Sequence, residues 1–146
     1  MNLRNNLLII ILSLWLLPTL YAQSSFEPFL VSSLPIMSSI EADGWKIIEI
    51  KTGHIKGKTK VDKVLREGRT YGFYACGDKR IAEIKASVLR IAGDKTKVFQ
   101  TEEESGKDAT IIFEVKKTGL YRFLIEVEDY SSNNSQGFYN MIFFKK

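Results

Sequence analysis

The chain has 146 residues, a formal charge of +4, 45% hydrophobic and 26% charged residues, and a single cysteine and histidine. This composition excludes a disulfide scaffold and a zinc site, which needs three or four nitrogen and sulfur ligands. The length suits one domain with a hydrophobic core of its own behind a short leader.

The leader is read first. Arg4 lies in a polar start, Leu7 to Leu17 is almost unbroken hydrocarbon, Pro18 breaks it, and Leu20-Tyr21-Ala22 ends in a small residue. Basic start, short apolar core and small-residue cut site are the three parts of a secretory signal. The core is shorter than the roughly 20 apolar residues that span a bilayer. Residues 1–22 are therefore expected to be a cleaved signal peptide. A mature protein from Gln23 would be periplasmic or extracellular, with no membrane span.

Residues 23–44 form a lead segment in which serines and two prolines, Pro28 and Pro35, mix with apolar residues. It reads either as an extended stretch packed along the domain or as a short helix from Phe29 to Leu34. Residues 45–146 read as β-structure. Short alternating runs recur, bounded by turn residues, and helical spacing is absent.

Trp45 to Ile55 is the first run and ends at Gly57. Thr70 to Cys76 follows, with Tyr71, Phe73 and Ala75 on one face and Tyr74 opposite, where it is expected to reach solvent. Ile84 to Ile91 places Ile84, Ala86 and Val88 on one side, and Lys97 to Thr101 is a short marginal strand. Ala109 to Val115 and Leu120 to Val127 alternate most clearly, joined by Lys116-Lys117-Thr118-Gly119, whose glycine is free to take positive φ. Phe138 to Phe144 carries aromatics on both faces and is expected to be covered on both sides. Strands at this spacing predict an antiparallel β-sandwich of jelly-roll type with seven or eight strands, its two sheets burying their apolar faces against each other.

A set of spaced residues then suggests a family. Lys56-Gly57-Lys58, Leu65-x-Glu67-Gly68-x-Thr70-Tyr71, Cys76, Thr118-Gly119-x-Tyr121 and the terminal Gly137-x-Tyr139 follow in order. From Trp45 to Lys146 the chain resembles the bacterial pre-peptidase C-terminal-type β-sandwich domains. Each Gly-x-Tyr step has a physical use: the glycine turns the chain, and the tyrosine buries its ring while its hydroxyl stays wet or caps a backbone group. The resemblance implies an accessory module of exported proteins, a class in which some members bind calcium or polysaccharide. Gly77-Asp78-Lys79-Arg80 lacks the second cysteine many relatives carry. Lys85, within Glu83-Ile84-Lys85-Ala86-Ser87, stands where a hard cation would want oxygen.

Lys46 to Arg69 holds eight basic residues against Glu49, Asp62 and Glu67. Lys56, Lys58 and Lys60 alternate, so they would share one strand face, either solvated or attracting anionic polymers. No recognition helix or nucleic-acid motif accompanies them, so nucleic acid is not an expected partner. Cys76 reads as a small buried hydrophobe, and His54 as a solvent-facing residue at a strand end. Glu102-Glu103-Glu104 reads as a solvated loop. Glu128, Asp129, Ser131, Ser132, Asn133 and Asn134 form either a weak calcium loop or an ordinary polar hairpin, the hairpin being favoured. No nucleophile elbow, phosphate loop or HExxH motif occurs.

The expectation is an exported, non-catalytic β-sandwich module, binding or accessory toward a protein or glycan of the cell envelope, with no cofactor and no metal. Its expected ligand-contacting residues are Tyr74, Lys56, Lys58 and Lys60. The alternative is a structural envelope protein that contacts anionic polymers through the basic strand face, and an uncharacterised hydrolase is the remote third.

Overall fold

A computed structural model describes residues 27–93, 95–101 and 106–146. The proposed signal peptide, residues 1–22, and the Glu102-Glu103-Glu104 cluster lie outside the described residues. The chain divides into two compact units, Met1–Pro35 and Ile36–Lys146, and all the strands described below belong to the second.

Among the described residues, α1 (Glu27–Ala42) precedes eight strands: β1 (Lys46–Ile55), β2 (Lys58–Leu65), β3 (Thr70–Gly77), β4 (Ile81–Ala92), β5 (Lys95–Thr101), β6 (Asp108–Glu114), β7 (Gly119–Tyr130) and β8 (Gly137–Lys145). They form two four-stranded antiparallel sheets, ordered β1-β8-β3-β6 and β2-β7-β4-β5. This is the jelly-roll order, two Greek keys folded into a sandwich. The expected fold class holds, and so does the covering of β8 on both faces: Met141, Ile142, Phe143 and Phe144 are all buried.

Alternation explains the sandwich. On β6 every second residue (Ala109, Ile111, Phe113) is buried and those between are exposed. On β7, Tyr121, Phe123 and Ile125 are buried on one face. The two inner faces meet in a cluster of rings: Phe73 and Phe143 from the first sheet close on Phe123 from the second, with centroids 5.0–5.2 Å apart. Burying one such side chain contributes about 1.5–3 kcal/mol, and each well-oriented ring pair about 0.5–1.5 more.

Two of the Gly-x-Tyr and loop-Tyr steps act as expected. The Tyr121 hydroxyl donates to the Lys117 carbonyl at 2.8 Å, closing the β6–β7 turn, and the Tyr71 hydroxyl accepts from the Arg66 amide at 3.3 Å. Each ring enters the core while its hydroxyl satisfies the turn before it.

Three readings of local structure need correction. The lead segment is neither extended nor a short helix ending at Leu34; α1 continues through Pro35 to Ala42. It stops at Ala42-Asp43-Gly44, where Gly44 takes φ 78°. The Trp45 amide donates to the Ile40 carbonyl at 3.1 Å and the Gly44 amide to the Glu41 carbonyl at 3.0 Å, the paired bonds of a Schellman end. Second, the runs read from the sequence pass over Lys58–Leu65, which is a full strand with Lys58 and Lys60 on one face as expected. Third, Lys56 is not on it. Gly57 at φ 78° reverses the chain between β1 and β2, so Lys56 sits in the turn while Lys58 and Lys60 begin a new alternation.

Tyr74 is also corrected. It does lie opposite Tyr71 and Phe73, on the face of the first sheet turned away from the second. That face is covered, and Tyr74 is only 8% exposed. It borders a cavity of about 260 Å³ together with Ile36, Ile40, Trp45, Ile112 and Phe144, and the Trp45 ring meets Phe144 edge-on at 5.2 Å. The last turns of α1 and the Trp45 indole thus form a second, smaller apolar layer outside the first sheet.

Candidate binding cleft at the open edge of the sandwich

The sequence-expected residues are not brought together. Tyr74 is buried outside the first sheet, whereas Lys58 and Lys60 point outward from β2, an edge strand of the second. Burial pushes the Tyr74 phenol far above its ordinary range, and the neighbouring Cys76 and Asp108 add to the shift. Lys58 faces Glu126 across the β2–β7 ladder, and Asp62, next on the same face, receives two hydrogen bonds from Arg122 at 2.8 Å. The β2 lysines therefore sit in a face of mixed sign rather than a contiguous cationic stripe.

His54 and Cys76 lie on β1 and β3, separated by β8. His54 is exposed near the end of β1, as expected, its ring 3.9 Å from that of Phe138, with the Arg80 guanidinium 4.6 Å from the same phenyl ring. Cys76 is buried, as expected. In the polar hairpin after β7, Asp129 accepts from the Tyr130 amide at 2.9 Å and the Asn134 amide donates to the Ser131 carbonyl. Among the described residues, no group of three or more histidine, cysteine, aspartate or glutamate side chains is placed to hold a metal ion.

The two open edges of the sandwich differ, and the difference builds a site. At the edge where β1 faces β2, an inward-facing Lys63 reaches across to Glu49, and its ammonium lies 4.4 Å from the Phe143 ring centroid. Lys63 is the main cause that holds the Glu49 carboxyl below its usual range. A cation turned inward on an edge strand guards against edge-to-edge pairing, and here it has a partner.

At the opposite edge, β5 faces β6. The core-facing register of β4 runs Ile84, Ala86, Val88 and then Arg90, a guanidinium where another apolar residue is due. Arg90 is aligned with Tyr121 on β7 and Lys97 on β5, and Lys95 is aligned with Ala92. These cations and the Lys116-Lys117 turn surround a cleft of about 550 Å³ whose apolar wall is Val98, Phe99 and Tyr121. Phe99 is 37% exposed, and its ring lies 5.2 Å from that of Phe113 and 5.8 Å from that of Tyr121.

Charge compensation is incomplete here among the described residues. Lys116 pairs with Glu114 at 2.7 Å, but Arg90, Lys95, Lys97 and Lys117 form no ion pair among the described residues. The Arg90 Nε is buried and donates to no acceptor among them. A buried donor without a partner costs about 1–3 kcal/mol, and like charges gathered in one concavity add repulsion. Among the described residues the cleft therefore has the charge and a free donor that an anion could meet. Sequence reading missed it, although Arg90 two places after Val88 and Lys95-x-Lys97-x-Phe99 on one strand face were its local signals.

Comparison with known proteins agrees with this architecture. No family model matches the sequence, and no curated protein matches it. Among solved structures, the pre-peptidase C-terminal domain of collagenase from Bacillus anthracis matches with a TM-score of 0.50 at 11% identity, covering 65% of this chain and 87% of that one. The chain has a β-sandwich fold like that of pre-peptidase C-terminal domains. Weaker likenesses include a periplasmic lysozyme inhibitor of g-type lysozyme from Aeromonas hydrophila (TM-score 0.48, 12% identity, 67% of this chain and 85% of that one). Another is CorA, a surface-associated copper-binding protein of Methylomicrobium album BG8 (TM-score 0.48, 8% identity, 64% and 91%).

Proposed function

We propose that this protein is an exported, non-catalytic binding module that engages a glycan or protein of the cell envelope through one open edge of its sandwich. The observation that carries the reading is the cleft beside β5. It has the volume of a small-ligand site, an aromatic wall and unspent hydrogen-bond donors, the combination by which such sites recognise ligands. Cys76 is buried, and His54, exposed on β1, is separated from it by β8, so the two do not form a Cys–His pair. Export rests on the charge, core length and cut site of residues 1–22.

The alternative of a structural protein gripping anionic polymers along β2 is less favoured, because Glu126 and the Asp62–Arg122 pair interrupt that face. The test is to express the tagged full chain in its own host and recover it from the envelope fraction. The N-terminal residue and any co-purifying glycan or protein are then read by mass spectrometry. An N-terminus at or just after Gln23 and a stoichiometric companion lost in the Lys95→Gln/Lys97→Gln variant support the proposal. An intact Met1 overturns export, and hydrolytic turnover by the purified protein overturns the non-catalytic reading.

A further inference from the structure

The cleft has more positive charge than a single small anion would compensate. Arg90, Lys95, Lys97 and Lys117 are all without a counter-charge among the described residues, so one carboxylate seated on Arg90 would leave three cations facing it. Lys95 and Lys97 are alternate residues of one strand, about 7 Å apart along the backbone, and they point the same way as Phe99. The arrangement suits a ligand that repeats its charge along a chain. Arg90 adds a planar fork that matches two oxygens of one acidic group.

The apolar wall narrows the class. A sugar ring has a C–H face that can lie against Phe99 and Val98 while its acidic group and hydroxyls stay at the charged rim. An acidic peptide laid there would turn backbone N–H and C=O groups toward those same side chains, where they find no partners. Single-stranded nucleic acid favours a row of aromatic platforms for successive bases. Phe99 is the one aromatic ring among the large hydrophobic side chains left exposed in the described residues.

We infer that the cleft between β5 and the Lys116-Lys117 turn binds an acidic polysaccharide, with a carboxylate or sulfate of one sugar unit on Arg90 and neighbouring charges on Lys97, Lys95 and Lys117. This rests on the reading of the chain as a binding module and names the ligand class for its site. It also moves the polyanion contact from the β2 lysines to the opposite edge of the same sheet.

Titration calorimetry on the full chain at low salt tests it, using oligogalacturonate for carboxylates, a heparin hexasaccharide for sulfates, and a neutral galactan. Poly-glutamate and a single-stranded oligonucleotide serve as the competing polyanions. We expect one or both acidic oligosaccharides to bind, and which one identifies the acidic group. Arg90→Gln should weaken binding about tenfold, and Lys95→Gln/Lys97→Gln should do the same while lowering the salt dependence. Lys58→Gln/Lys60→Gln should leave affinity unchanged. The Lys95/Lys97 pair lies on an exposed edge strand, so it keeps the test decisive if the Arg90 variant folds poorly. Equal affinity of the cleft variants and the parent protein, or equal binding of poly-glutamate or the oligonucleotide, overturns the inference. Tight binding of the neutral galactan that ignores the cleft variants overturns this inference but leaves a binding module standing. Failure of all these probes, with a protein companion recovered from the envelope, has the same meaning.

Discussion

Asp62 on β2 and Arg122 on β7 face each other on the outer surface of the second sheet, the guanidinium donating one hydrogen bond to each carboxylate oxygen at 2.8 Å. The pair interrupts what the sequence presents as a lysine-rich face and turns it into a ladder of mixed sign. Arg122 is the leading cause that holds the Asp62 carboxyl below its usual range. A carboxyl lowered in the folded state adds stability that is present above its unfolded value and is lost as pH falls through its folded value. Asp62→Asn should therefore lower the thermal midpoint slightly at pH 7, as exposed pairs do. The difference from the parent protein should close in acid. A gap that stays constant from pH 7 to pH 2 would show that the pair contributes no charge-dependent stability.

Tyr121 joins the core to the β6–β7 turn. Its ring is 1% exposed, and its hydroxyl donates to Lys117. Tyr121→Ala should destabilise the fold by about 3–5 kcal/mol, as large aromatic truncations do. Tyr121→Phe keeps the ring and loses one hydrogen bond, so a cost of about 1 kcal/mol is expected. Chemical denaturation of both variants separates the two contributions. Equal midpoints for the Ala and Phe variants would mean that the turn bond, not the ring, carries the effect.

What the sequence could reveal follows from which interactions are local. On β6 and β7 one face is apolar and the other carries nearly all the charged residues, so alternation alone assigns their inward residues. On β3 both faces are apolar, and nothing within Thr70–Gly77 tells whether Tyr74 is covered. That depends on the end of α1 and on Trp45, which are remote in sequence. The strand at Lys58–Leu65 is obscured because Lys63 occupies an inward position between Val61 and Leu65, breaking the apolar period that marks a strand. Its justification, Glu49, lies on another strand. The cleft needed the same long-range knowledge. Arg90 is conspicuous in its own strand, but only the pairing of β4 with β5 and β7 sets Lys97 and Tyr121 beside it.

The second apolar layer makes its own prediction at Gly72. A Cβ built there would lie 1.9 Å from Cε2 of Phe144, so the phenyl ring occupies the space that any other residue would need. Gly72→Ala must displace Phe144 and with it the edge contact to Trp45, whose ring centroid is 4.6 Å from the Lys146 ammonium. Overpacking of this kind costs about 1–3 kcal/mol. Urea denaturation should show that loss, and Phe144→Leu in the same chain should restore part of it. If the double variant is no more stable than Gly72→Ala alone, the steric explanation fails.

Cys76 tests whether the first sheet is closed on its outer side. The thiol belongs to β3, a central strand, and is 8% exposed, beside the buried Tyr74. A thiol reagent reaches such a group only when the surrounding structure opens, so its rate reports that opening rather than intrinsic chemistry. Labelling of the native protein should be at least about a hundredfold slower than in denaturant. The loss of protection should coincide with global unfolding in guanidinium. Under oxidising, non-denaturing conditions the protein should run as a monomer on a non-reducing gel, since two buried thiols cannot meet. Rapid native labelling, or a disulfide-linked dimer, would require the outer face of β3 to be accessible. The layer that the end of α1 and Trp45 form beside Tyr74 would then be a loosely held cover rather than part of the folded core.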